Sequence, residues 1–230
     1  MNKMLITLCF VLFSMTMCAQ DDPEYKMEIG AGLGFVNYIG DFNESLIKNL
    51  RPAASAMIRY NLDTMNDLKF GVTYGKLVGN ASDVETYYPD LSTDATKRMN
   101  YRFNNHLIDA SLVYEYNFWP YGTGRDYRGA KRLTPFIFAG IGATIVNGDK
   151  NIVTANIPMG LGLKYKIGER TNVGVDYSLH LSTSDKLDGM KDPYGIKSSG
   201  LFKNTDGYGE LKVFVTYSFR EKCRTCNKDF

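Results

Sequence analysis

Apolar and polar residues alternate with period two through most of the chain, the signature of half-buried strands. From Tyr25 the odd positions read Tyr25, Met27, Ile29, Ala31, Leu33 and Phe35. The even ones read Lys26, Glu28, Gly30, Gly32, Gly34 and Val36. The same alternation returns over residues 54–62, 68–75, 108–118, 156–167, 173–182 and 210–219. Pro158 interrupts the strand over 156–167, because it cannot donate to a ladder. Residues 135–147 are strand-like too, but both of their faces are apolar and the pattern does not phase them.

The two phases differ in what they tolerate. Apart from Lys76 and His106, near strand ends, no charged or imidazole side chain falls on the apolar phase of the seven phased strands. A lysine or arginine facing lipid costs about 2–4 kcal/mol at mid-membrane, so this avoidance suits a lipid-facing surface. Connections alternate as well: 63–67 and 168–172 are short, whereas 38–51, 79–102 and 183–207 are long. The connection 119–133 is longer than a tight turn, and 147–151 is short for an outer loop. Aromatic residues near strand ends (Tyr25, Phe35, Tyr60, Tyr116, Phe118, Trp119, Tyr165, Tyr217, Phe219) resemble interfacial girdles. A soluble carrier with a greasy interior would instead point Tyr, Phe and Leu inward and its glycines outward. The expectation is an all-β, eight-stranded antiparallel transmembrane β-barrel of outer-membrane type. It has long extracellular loops, both termini in the periplasm and a short periplasmic C-terminal tail.

Three segments follow. Residues 1–20 read as a cleaved secretory signal, with Lys3, an apolar run from Met4 to Met17, and then Cys18, Ala19 and Gln20. Cys18 raises lipidation as an alternative, but Met17 is bulky before such a cysteine and ordinary cleavage near Ala19 or Gln20 is favoured. Residues 21–219 form the barrel and 220–230 the tail. Cleavage removes Lys3 alone among charged side chains, so the formal charge falls from +2 to +1, which gives no support for nucleic-acid binding. A mean hydropathy of -0.26 is compatible with a barrel, in which alternate residues face lipid.

An eight-stranded barrel is narrow enough for side chains to fill. The inward phase places Glu28, Arg59, Lys69, Asp109, Glu115, Lys164, Lys166, Asp176, His180, Glu210 and Lys212 inside, a set of both signs. A neutralised plug is expected rather than a solute path, since unpaired buried charge is costly. His180 and Ser182 share that face and resemble the histidine-activated serine of outer-membrane lipid A deacylases. They point away from lipid, however, and esterase activity is the lesser reading. The glycines of Gly30-Ala31-Gly32-Leu33-Gly34 lie within a strand with no helix after them, so no phosphate loop is expected. Two histidines on different strands supply no metal site, and no cofactor is expected.

The periplasmic side is basic. Arg125, Arg128, Lys131 and Arg132 crowd the connection before Leu133, and Arg220, Lys222 and Arg224 begin the tail. Either solubility and contact with lipid headgroups, or docking of an acidic partner, accounts for them.

The stretches GAGLGFVNYIGDFN (30–43), DLKFGVTYGKLVG (67–79), VYEYNFWPY (113–121), TPFIFAGIG (134–142) and GLGLKYKIGERTNVGVDY (160–177) resemble the PorG family. These are outer-membrane barrels associated with the type IX secretion system of Bacteroidetes. The resemblance implies a non-enzymatic component that anchors the periplasmic ring of the PorK lipoprotein and PorN. Cys223 and Cys226 would then lie in an oxidising compartment. No helix follows to make a redox motif, and no further ligands complete a zinc site. Closure of the CxxC on itself and a disulfide to a partner both remain open.

Overall fold

The computed structural model describes residues 25–40, 49–81, 89–90, 94–98, 100–121, 131–148, 151–183, 187 and 206–221. The expected signal segment, Cys18, Arg125, Arg128, Lys222, Arg224, Cys223 and Cys226 lie outside these residues.

Ten strands are described: β1 (Tyr25–Ile39), β2 (Arg51–Asn61), β3 (Asn66–Asn80), β4 (Pro89–Asp90), β5 (Asp94–Arg98), β6 (Arg102–Asn117), β7 (Leu133–Asn147), β8 (Asn151–Lys166), β9 (Thr171–Ser182) and β10 (Gly207–Glu221). Eight of them close a barrel in the order β1-β10-β9-β8-β7-β6-β3-β2, and β4 pairs with β5 in a separate two-stranded ribbon. Each barrel strand pairs antiparallel with its neighbours along the chain, and β1 pairs with both β2 and β10 to close the ring. Closure removes the unpaired edges that would be intolerable in hydrocarbon.

The outward phase is apolar around the ring. Leu33, Ile141, Val153 and Leu161 are each more than 60% exposed, amid a belt that includes Ile58, Phe70, Leu112, Val213 and Val215. A closed belt of this extent is far beyond the apolar patches that soluble monomers show. The fold is an eight-stranded barrel of outer-membrane type.

Structure refines the sequence reading in four places. First, β7 acquires a phase: Phe136 and Phe138 are buried in the lumen, while Ile137, Ile141 and Ile145 face outward. Both faces are apolar because the lumen here takes phenylalanine against glycine. Phe136 pairs with Gly162 and Phe138 with Gly160. A Cβ on Gly162 would meet the Phe136 Cζ at 2.6 Å, and one on Gly160 the Phe138 Cζ at 2.6 Å. Second, β3 begins at Asn66, so Asp67 belongs to the lumen rather than to the turn expected at 63–67. Asp63 itself organises that turn by accepting from the backbone N–H groups of Met65 and Asn66. Third, Lys166 is half-buried at the barrel end, with its Nζ 5.9 Å from the Tyr25 ring centroid, rather than within the lumen. Tyr25, expected in the exposed girdle, is buried. Fourth, Pro158 costs the β7–β8 ladder two rungs: pairing stops at Ala139–Met159 and resumes at Gly142–Asn156.

Candidate functional site

Alternation delivers the inward residues to a single column, and their chemistry divides it into levels. At the end that carries the barrel termini and the 62–65 and 167–170 turns, Glu115 is the hub. Its Oε2 lies 2.9 Å from Arg59 Nε and 2.6 Å from Lys164 Nζ, and its Oε1 lies 2.7 Å from Lys69 Nζ. Arg59 continues to Glu28 at 2.5 Å, and Lys164 to Asp67 at 2.7 Å. Asn117 donates to Asp67, and Thr216 to Glu28. Three cations also sit over rings: Lys164 Nζ is 4.5 Å from the Phe136 centroid, Lys69 Nζ 4.5 Å from Phe138, and Arg59 Cζ 5.6 Å from Phe214. These rings form an apolar layer with Met57 and Val113.

A second polar level lies nearer the long loops. Lys212 reaches Glu210 at 3.3 Å and Asp176 at 3.7 Å. Thr73 donates to Glu210. Thr144 and Asn156 both donate to Asp109 Oδ1. His180 stands between Asp109 and Glu210, 3.8 and 3.6 Å away. Its ring stacks on Tyr208, whose hydroxyl is 2.9 Å from Nδ1, and its Nε2 is 3.1 Å from Ser178 Oγ. Ser182 lies on the same inward face, where its Oγ is 3.1 Å from Thr154 Oγ1. A small cavity bordered by Lys69, Thr73, Phe138, His180 and Glu210 has room for about one water molecule. Among the described residues no three His, Cys, Asp or Glu side chains could hold a metal ion together.

Both ends of the column are covered. At the loop end Val36, Tyr38, Leu77, Phe103, Leu107, Val146 and Tyr208 form an apolar cap. Leu187, from the β9–β10 connection, completes it. Asp206 accepts from the Leu187 backbone N–H at 2.8 Å and from the Tyr38 hydroxyl, and Asn105 donates to the Leu187 carbonyl. At the turn end Tyr121 folds over the opening and donates to Asn172. Burial pushes its hydroxyl well above the usual tyrosine range.

All nine residues expected in the charge network (Glu28, Arg59, Lys69, Asp109, Glu115, Lys164, Asp176, Glu210 and Lys212) are buried in the lumen. Sequence reasoning missed Asp67, which it left in a turn, and it missed the loop-end apolar cap because Tyr38, Leu77, Phe103, Leu107 and Tyr208 lie just beyond the stretches where alternation is legible.

The turn-end rim is basic. Lys131 lies over Trp119, with its Nζ 4.3 Å from the ring centroid. Arg132 and Arg220 are exposed, and Arg170 donates to Tyr25 and Tyr217. Strand order places Arg220 on β10, Arg170 in the β9–β8 turn, Lys166 on β8 and Lys131 and Arg132 ahead of β7. These residues therefore follow one arc. Glu169 and Glu221 temper it, the latter 3.9 Å from Arg170. Arg170 escaped sequence reasoning because a short turn offered no signal.

A family model described as "Domain of unknown function (DUF6089)" matches residues 2–228. The chain belongs to that family. No curated protein matches it. Its fold is similar to the N-terminal β-barrel domain of Pseudomonas aeruginosa OprF, at 17% identity, covering 86% of this chain and 100% of that one, with a TM-score of 0.46. It is also similar to OprG from Pseudomonas aeruginosa, at 9% identity, 87% and 99% coverage and a TM-score of 0.48. The outer membrane enzyme PagL gives 16% identity, 84% and 99% coverage and a TM-score of 0.39.

Proposed function

We propose that this chain is a non-enzymatic scaffold of the outer membrane, with its turn end and both termini in the periplasm. The observation that carries the reading is the basic arc of Lys131, Arg132, Lys166, Arg170 and Arg220 beneath a filled, capped lumen. A rim charge of one sign steers and orients a partner of the other. The resemblance to the PorG family supplies the partner class: the periplasmic PorK/PorN ring of a type IX secretion machine. The competing reading, a lipid-modifying enzyme using His180 and Ser182, has less support. The His180 ring nitrogens lie beside Ser178 and Tyr208, and both His180 and Ser182 face the lumen.

The test is affinity purification of the tagged protein from detergent, with the co-purifying periplasmic proteins identified. Acidic periplasmic proteins are expected with wild type and depleted when Lys131, Arg132, Arg170 and Arg220 are changed to glutamine. A folded barrel that brings down no periplasmic protein would sink the scaffold reading. Altered lipid A acylation in a His180→Ala, Ser182→Ala strain would hand the case to the enzyme. Non-reducing gels separate the two states of Cys223 and Cys226: a higher-mass band that reduction collapses indicates a covalent anchor.

A further inference from the structure

Apart from Glu221 at the turn end, the charged and imidazole side chains on the described outward phase of the barrel strands gather at the loop end of β3 and β6. Lys76 on β3 and His106 on β6 are direct cross-strand partners, on the lipid-facing side at the loop end of the barrel. The row just inside them is Tyr74 and Ile108, both exposed members of the apolar belt. Arg102 is exposed on the same face of β6, four residues beyond His106, which is about 13 Å along a strand. Elsewhere at this end the described outward positions are uncharged: Phe35, Pro52, Asn147, Asn151 and Leu181. Arg51 is exposed there but lies on the inward phase of β2.

Two features make this more than a scatter of surface cations. Directly opposite on neighbouring strands, the Lys76 ammonium and the His106 imidazole stand side by side with no carboxylate among the described outward positions at this end. The imidazole is also held in place. Tyr74 OH and His106 Nδ1 are 2.7 Å apart, and the rings are tilted at 35° with centroids 5.9 Å apart. With Nδ1 engaged by the tyrosine, Nε2 is the nitrogen left to meet a ligand. The group stands where the apolar belt ends, the level at which acyl chains give way to phosphate.

We infer that Tyr74, Lys76, His106 and Arg102 form a binding site for the phosphorylated headgroup of an outer-leaflet glycolipid, lipid A. Lys76 and His106 take one phosphate, Tyr74 sets the imidazole, and Arg102 reaches the headgroup's outer part. The choice of glycolipid over glycerophospholipid rests on the reading above that the loop end faces outward.

Native mass spectrometry of the full chain, refolded in detergent, tests the site against three probes: bisphosphorylated lipid A, the same lipid with its phosphates removed, and phosphatidylglycerol. Retention of bisphosphorylated lipid A alone is expected. Lys76→Gln with His106→Gln should lower it about tenfold, Lys76→Arg should restore most of it, and Lys26→Gln at the opposite end should not change it. Both altered side chains are outside the barrel core, and a heat-modifiable gel shift confirms folding. Equal retention of the phosphate-free lipid, equal retention of phosphatidylglycerol, or indifference to the double substitution would each overturn the site. Binding in detergent does not depend on which way the barrel faces in the cell. A failure of the orientation, read by surface labelling, is therefore distinguishable from a failure of the site.

Discussion

Glu115 shows why single residues matter in so narrow a lumen. Arg59, Lys69 and Lys164 converge on its two oxygens, and the side chain has no solvent exposure. Removing one member of a buried ion cluster leaves its partners charged and uncompensated, which is costlier than never having built the cluster. Glu115→Ala should therefore destabilise the barrel by about 3–5 kcal/mol, read as the urea midpoint of reversible unfolding into lipid vesicles. A loss below about 0.5 kcal/mol would show that water or neighbouring carboxylates replace it without cost. The alternation in the sequence predicts that this glutamate faces inward. It does not predict which three cations meet it, since they come from β2, β3 and β8, and that depends on how the ring closes.

The β6–β7 pair shows how one element can be illegible in isolation and well determined in context. Residues 135–147 carry apolar side chains on both faces because one face meets lipid and the other covers glycines across the β7–β8 pair. Periodicity measures contrast between faces, and here there is none. Close backbone approach adds a second constraint: a Cβ at Gly140 would lie 2.1 Å from the Leu112 carbonyl oxygen and 2.6 Å from the Val113 Cα. Backbone of a paired strand cannot step aside, whereas at Gly71 the nearest atom is 3.9 Å away. Gly140→Ala is expected to cost about 1–3 kcal/mol and to reduce the folded, heat-modifiable fraction on gels. Gly71→Ala should be close to neutral. Equal behaviour of the two would remove the packing argument for glycine inside this barrel.

At the scale of the whole molecule, the question is which end faces the cell exterior. Both barrel termini and the turns at 62–65 and 167–170 share one end, and the other, closed by the apolar cap with Leu187, carries the longest connections together with the short β7–β8 one. Short turns belong on the periplasmic side of outer-membrane barrels. An epitope inserted between Asp83 and Asp94 should be reached by antibody on intact cells, whereas one in the 62–65 turn should be reached only after permeabilisation. The reverse pattern would invert the molecule, and with it the placement of the basic arc and of the Lys76–His106 pair.

The order of apolar and polar residues by itself determined the eight barrel strands, the outward face of seven of them and most of the inward charged set, but not the β4–β5 ribbon inside the 79–102 connection. Local alternation suffices for these, because side chains on a strand have only two directions to point. Only the tertiary structure decided the rest. Registers between strands distant in sequence set the Glu115 hub, the stacking of His180 on Tyr208 and the partnership of Lys76 with His106. Asp67 joined the lumen because pairing with β2 and β6 carries β3 down to Asn66. Leu187 became part of the loop-end cap because Asp206 and Asn105, both far from it along the outline of alternation, hold its backbone there. Contacts of this kind depend on ring closure, which brings to one axis residues that no sequence period relates.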